Sequence, residues 1–94
     1  MDSNLVRLSL ALSGRVQGVS FRDFVEQEAR RLGLIGIVKN NLDGTLGIVA
    51  EGERSPLETL KKICRQGPEL AQIDSCTEAW EEIKFLAFKS FESE

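Results

Sequence analysis

Histidine and tyrosine are missing altogether from this 94-residue sequence, and cysteine, proline, tryptophan and methionine are scarce, at two, two, one and one. Without histidine there is no phosphohistidine route and no imidazole to complete a metal-ligand cluster with Cys64 and Cys76. The two cysteines are therefore read as small apolar core residues, and nothing points to the oxidising compartment that a disulfide needs. No metal and no other cofactor is expected. Long apolar runs are missing too. None approaches the roughly 20 residues that span a bilayer, and the start MDSNLVRLSLAL lacks the basic region and small-residue cleavage site of a signal peptide. Excess positive charge is the last absence. Twelve Lys and Arg face 15 Asp and Glu, a formal net charge of −3, which disfavours nucleic acid and anionic membranes as partners. The expectation is a cytoplasmic protein that binds neither. Its length suits one domain, residues 1–94, in which regular apolar positions are spent on a single core. No apolar stripe is left over, so a monomer is expected.

What is present is periodicity. Residues 5–13, LVRLSLALS, alternate, with Val6, Leu8, Leu10 and Leu12 on one face of a half-buried strand. After the loop GRVQGVS, Ser20 with Asp23 three residues on has the pattern of a capping box. The helix that follows carries Phe21, Phe24, Val25, Ala29 and Leu32 on one side and is ended by Gly33. Residues 34–41 and 45–51 form a hairpin around Asp43 and Gly44. Ser55, Pro56 and Glu58 predict a second helix start, with Ser55 as cap and Pro56 first, and Leu57, Leu60, Ile63 and Cys64 make its apolar stripe. Residues 71–80 read as a strand and 84–91, KFLAFKSF, as a further edge strand. The order βαββαβ predicts an α+β, ferredoxin-like two-layer sandwich, with an antiparallel sheet and two helices on one face. RNA-binding sheets of this architecture stack bases on aromatics; the absence of tyrosine and of an RNP1-type run argues against that use here.

The stretch GRVQGVSFR, residues 14–22, joins a strand end to a helix start. First-turn amides of a helix have no internal partners, the dipole adds partial positive charge there, and Gly14 and Gly18 let the backbone come close to a ligand. Such a concave row of N–H groups binds anions. Arg22 can reach back over the loop with a planar donor fork suited to phosphate oxygens. A first-turn arginine otherwise opposes the dipole, and an anion between the two removes that conflict. Other phosphate chemistries lack their motifs: there is no GxxxxGK[ST], no GxGxxG and no cysteine five residues before an arginine in this loop. Water is the expected nucleophile. Asn40, near the hairpin mouth, offers an acceptor and two donors to orient it, and equally suits a turn.

These residues resemble the acylphosphatase family. GRVQGVSFR fits the pattern G-x-V-Q-G-V-x-F-R; EARRLGLIGIVKNNLDGTL and GPELAQI continue it through Asn40, Asp43, Gly44, Gly67, Pro68, Ala71 and Ile73. The resemblance implies a ferredoxin-like fold and hydrolysis of acyl phosphates to carboxylate and inorganic phosphate. It places the phosphoryl group on Arg22 and on the loop Val16, Gln17, Gly18, Val19, Ser20 and Phe21, and gives Asn40 the attacking water. The sequence departs from the pattern at Ile37, where tryptophan is common, and at Asn41, where threonine is common. Past Ile73 the match is weak. Two rivals stand beside this reading: a related anion-binding or regulatory domain without turnover, and the similar domain that opens the long hydrogenase-maturation carbamoyltransferases.

Overall fold

The computed structural model describes residues 4–94. The elements run β1 (Leu5–Arg15), α1 (Phe21–Arg31), β2 (Ile35–Asn40), β3 (Leu46–Glu53), α2 (Arg54–Gln66), β4 (Gln72–Glu82) and β5 (Phe91–Ser93). The strands form one sheet in the order β4-β1-β3-β2-β5. The first four pair antiparallel throughout, as the ferredoxin-like order requires, and β5 adds a parallel edge beside β2. The sheet alternation is strict in β1: Val6, Leu8, Leu10 and Leu12 are buried against the helices. They meet Phe21, Val25 and Ala29 of α1 and Leu57, Leu60 and Cys64 of α2 in one core. Cys64 is fully buried there, and burial pushes its thiol up to about 12. It is an apolar filler, as expected, and both cysteines are free thiols.

Three local expectations are corrected. Ser20 does precede α1, but its side chain makes no capping hydrogen bond, because its backbone is left-handed at φ 62° and ψ 23°. An N-cap side chain reaches the helix amides from extended φ/ψ; here only the Ser20 carbonyl is used, accepting the Phe24 amide at 3.1 Å. Ser55 is not the cap of α2. The chain passes from β3 straight into helix, so Glu53 is the cap residue and Arg54 the first helical one. Pro56 still falls in the first turn, where its missing N–H has no acceptor to lose.

The tail strand is the third. Residues 84–90 are not a strand; Phe85 and Leu86 in them are exposed, and pairing is confined to Phe91–Ser93. The topology explains this. β4 ends at the sheet end where β1 begins, with Val6 opposite Glu82, and the free edge of β2 lies on the far side of the sheet. The chain must first cross. It then joins β2 from the end where β2 starts, with Phe91 opposite Gly36, so it runs parallel. Glu51 anchors the crossing. It is the one buried charged residue among those described; its carboxylate accepts Arg7 Nε at 2.8 Å and the Ala87 amide at 2.7 Å. Arg7 also donates to Glu81, and the hydrogen bond to Glu51 first of all holds the Arg7 guanidinium above its ordinary pKa.

Candidate active site

β1 and β2 are both antiparallel to the strand between them, so they run parallel and their C-terminal ends lie at one end of the sheet. The loop after β1 and Asn40 at the end of β2 therefore meet there. The loop is shaped by its backbone. The β1–β4 register shifts between Ser13 and Gly14. Gly14 has φ 118°, and a Cβ on it would stand 2.3 Å from the Gln72 carbonyl oxygen. Only glycine allows β4 to press this close where β1 bends away. Val16 is buried and fixes the loop to the core. Beyond it Gly18 and Ser20 both have positive φ, at 74° and 62°. Ser20 is the one non-glycine residue with positive φ among those described, a conformation that costs about 1–3 kcal/mol and collects at ligand sites.

Among the described residues, the main-chain amides from Gln17 to Asp23 donate to no protein acceptor; the first helical hydrogen bond is made by Phe24. Of these residues Gly18, Ser20, Phe21, Arg22 and Asp23 line a small cleft of about 280 Å³, together with Val16 and Asn40. Its volume suits a tetrahedral anion with part of a small substituent. The Phe21 ring is buried and packs edge-on against Phe24 with centroids 6.0 Å apart, so Phe21 offers the cleft its main chain. Arg22 is exposed, and its Nη1 donates to the main-chain oxygen of Glu94 at 2.7 Å. That contact uses one of the five guanidinium donors, and Arg22 is among the residues that line the cleft. Asn40 shares the face of β2 that carries Gly36 and Val38. Among the described residues, its carboxamide makes no hydrogen bond to protein.

The structure thus brings Val16, Gly18, Ser20, Phe21, Arg22 and Asn40 together. It does not bring the side chains of Gln17 and Val19 into the cleft. Gln17 turns to the β2–β3 hairpin, and Val19 packs on the core; neither residue lines the cleft. Asp23 lines the cleft, whereas its sequence position suggested a capping partner of Ser20. The two departures from the family pattern have local accounts. Ile37 is half-buried on the sheet face away from the helices, opposite Val49 and Glu92. The Asn41 carboxamide donates to Thr45 Oγ1 at 3.0 Å and lies over Gly47, where a Cβ would be 2.9 Å from Asn41 Nδ2. No group of three or more His, Cys, Asp or Glu side chains is placed to hold a metal among the described residues. A hollow of about 680 Å³ lined by Asn4, Arg54, Glu82 and Lys84 lies at the other end of β1, away from the loop.

Fold and cleft define a class: a ferredoxin-like domain whose first strand-to-helix loop is a cradle of free amides beside an arginine. Comparison with known proteins makes the class specific. The family model described as Acylphosphatase matches residues 8–92. The acylphosphatase of Acidiphilium cryptum (strain JF-5) is 45% identical over 78 residues, covering 83% of this chain and 86% of its own. The solved structure of an acylphosphatase from Coxiella burnetii is similar at TM-score 0.85 and 35% identity, over 97% of this chain and 94% of that one. A crystal structure of full-length HypF in its phosphate- and nucleotide-bound form is similar at TM-score 0.87 and 32% identity, over 99% of this chain and 12% of that one. The chain belongs to the acylphosphatase family, and it is a hydrolase of that type.

Proposed function

We propose that residues 1–94 act as one catalytic domain that hydrolyses the carboxyl–phosphate bond of small acyl phosphates without a metal, with Arg22 and the loop amides as the phosphoryl cradle and Asn40 as the residue that aims water. The observation that carries this reading is the convergence on one cleft of Arg22, Asn40 and loop residues whose main-chain amides, like the Asn40 carboxamide, have no protein partner among the described residues. The free amides from Gln17 to Asp23, the positive end of α1 and Arg22 complement the negative charge of the phosphoryl oxygens; the Val16 amide is spent on the Gly14 carbonyl at 3.0 Å. Phosphoryl transfer asks mainly for such positioning and charge stabilisation. Each preorganised donor of this kind is worth about 2.7–4 kcal/mol by deletion.

A water held by the Asn40 carboxamide attacks phosphorus in line with the acyl oxygen. The bond from phosphorus to that oxygen breaks, its electron pair leaves on the carboxylate, and the proton of the water passes to a phosphoryl oxygen. The leaving carboxylate has a conjugate-acid pKa of about 4 to 5, so it departs unprotonated near neutral pH and needs no general acid. In a loose transition state the water needs little activation, which is consistent with a cleft that has no histidine or cysteine. The natural setting we propose is the cytoplasm, with the chain as a monomer. Support comes from the apolar helix faces, which are spent inside the core, and from the fact that no described helix is long and apolar enough to cross a membrane.

The test is hydrolysis of benzoyl phosphate in excess chelator, beside p-nitrophenyl phosphate. Turnover of the first alone, unaffected by chelator, supports the substrate class and metal independence. Equal turnover of both, or loss with chelator, contradicts the reading. Phosphate binding with no turnover of either would leave the rival of a non-catalytic anion-binding domain.

A further inference from the structure

We propose that Gln17 is a positioning residue that sets Asn40 over the cradle, acting through the β2–β3 turn. The inference rests on the water-aiming role of Asn40. Its ground is where the sheet stops. The β1–β3 ladder ends at Leu12 opposite Leu46, and the β2–β3 ladder ends at Asn40 opposite the same Leu46. Beyond that rung the sheet no longer ties the loop after β1 to the turn after β2. Among the described residues, the hydrogen bonds that join them come from one side chain. Gln17 Nε2 donates to the carbonyl oxygens of Asn41 and Thr45, each at 3.0 Å, across 24 and 28 residues of sequence.

The chemistry of the side chain fits this task. An amide nitrogen has two hydrogens, and both have an acceptor here. Each acceptor already serves the turn: the Asn41 carbonyl takes the Gly44 amide at 3.1 Å, and the Thr45 carbonyl takes the Asn41 amide at 2.9 Å. A carbonyl has two lone pairs, so Gln17 fills the second on each. The turn it grips is stiff. Asn41 Nδ2 donates to Thr45 Oγ1 at 3.0 Å, Thr45 Oγ1 to Asp43 Oδ1 at 2.6 Å, and the Thr45 amide to the same oxygen at 3.0 Å. Asn40, by contrast, makes no side-chain hydrogen bond to protein among the described residues. Its aim is inherited from the backbone next to it, which Gln17 fixes to the loop.

The test is a double-mutant cycle on benzoyl phosphate turnover, with phosphate inhibition read alongside. Gln17→Met keeps the length of the side chain and removes both hydrogen bonds, and Gln17→Ala removes the side chain. Each is expected to lower kcat by about 10- to 100-fold, the effect of a small misplacement, with the inhibition constant of phosphate unchanged. In an Asn40→Ala background the same changes should cost nothing more. Gln17→Glu, which sets a carboxylate against two carbonyls, should be at least as slow as Gln17→Met. Full turnover by Gln17→Met overturns the proposal, and so does a further loss in the Asn40→Ala background or a weakening of phosphate inhibition that follows kcat. If Asn40→Ala itself keeps its turnover, the role of Asn40 fails first, and that single variant reveals it independently. Thermal unfolding of each variant separates loss of fold from loss of aim.

Discussion

Arg22 and Glu94 are joined across 72 residues of sequence, the guanidinium Nη1 donating 2.7 Å to a main-chain oxygen at the end of the edge strand. The cation at the cleft mouth is therefore held from outside the loop it serves. An exposed arginine without such a tether would spread over many rotamers, and ordering it would oppose substrate binding. In the proposed role, an arginine held this way would meet the phosphoryl group with less entropy to lose.

Arg22→Ala should abolish nearly all turnover, by at least the roughly 100- to 1,000-fold that one preorganised donor supplies, and should weaken phosphate inhibition with it. Arg22→Lys keeps the charge and loses the planar fork, so it should recover phosphate binding better than turnover. Steady-state kinetics with phosphate as inhibitor check both. Equal recovery of the two would mean that charge alone matters.

Asn40→Ala should separate the same two quantities in the opposite sense. Turnover should fall and phosphate inhibition persist, since in the proposed role the carboxamide serves the water and not the bound anion. A parallel loss of both would place Asn40 in the cradle.

Asp23 is the acidic side chain that lines the cleft. Its charge favours the start of α1 and opposes an incoming phosphate. Asp23→Asn should tighten phosphate binding several-fold at low ionic strength, with the gain shrinking as salt screens it. Titration calorimetry at two salt concentrations reads this. Unchanged affinity at low salt would show that the carboxylate is turned to solvent.

Gly14→Ala should destabilise the fold and the cradle together. The added methyl group meets the Gln72 carbonyl at 2.3 Å on a backbone at φ 118°, and overpacking of this sort costs about 1–3 kcal/mol before the backbone strain is added. Urea unfolding gives the first effect and phosphate inhibition the second. A variant as stable as the parent would contradict the close approach of β1 and β4.

The turn below Asn40 should respond to acid. Hydrogen bonds from the Thr45 hydroxyl, then from its amide, hold the Asp43 carboxyl below the ordinary aspartate pKa. A depressed folded pKa means a contribution that is present above the unfolded value, about 3.9, and lost as pH falls through the folded one. Carboxyl NMR titration should place the Asp43 midpoint below that of an unstructured aspartate, with the turn amides moving at the same pH. A midpoint at the ordinary value would mean that the Thr45 contacts are weak in solution.

Much of this was legible in the residues because it is periodic or local. The alternation of Val6, Leu8, Leu10 and Leu12 and the helical spacing of Phe21, Val25 and Ala29 each reported a buried face. The loop from Gly14 to Arg22 points to an anion cradle through its glycines, its place before a helix and its arginine, and that reading remains the proposal. What stayed hidden depended on the chain at a distance. The edge strand lies at Phe91–Ser93 because residues 84–90 must first cross the sheet. Glu51 looks like any strand-end acid until Arg7 and the Ala87 amide meet it. The left-handed Ser20 carries no mark of its own, since serine with an acid three residues on is an ordinary cap pattern. By the family resemblance Gln17 is one of the loop residues that hold the phosphoryl group; its side-chain partners come 24 and 28 positions later and leave no local mark.

The central claim is that the amides from Gln17 to Asp23 hold the phosphoryl group. Amide NMR of the whole chain, titrated with inorganic phosphate, tests it most directly. The account predicts that these resonances, and the side chain of Arg22, move together and saturate at one phosphate concentration. If they stay still while other amides respond, such as those around Arg54 and Lys84 at the opposite end of β1, the cradle lies elsewhere and the account is wrong.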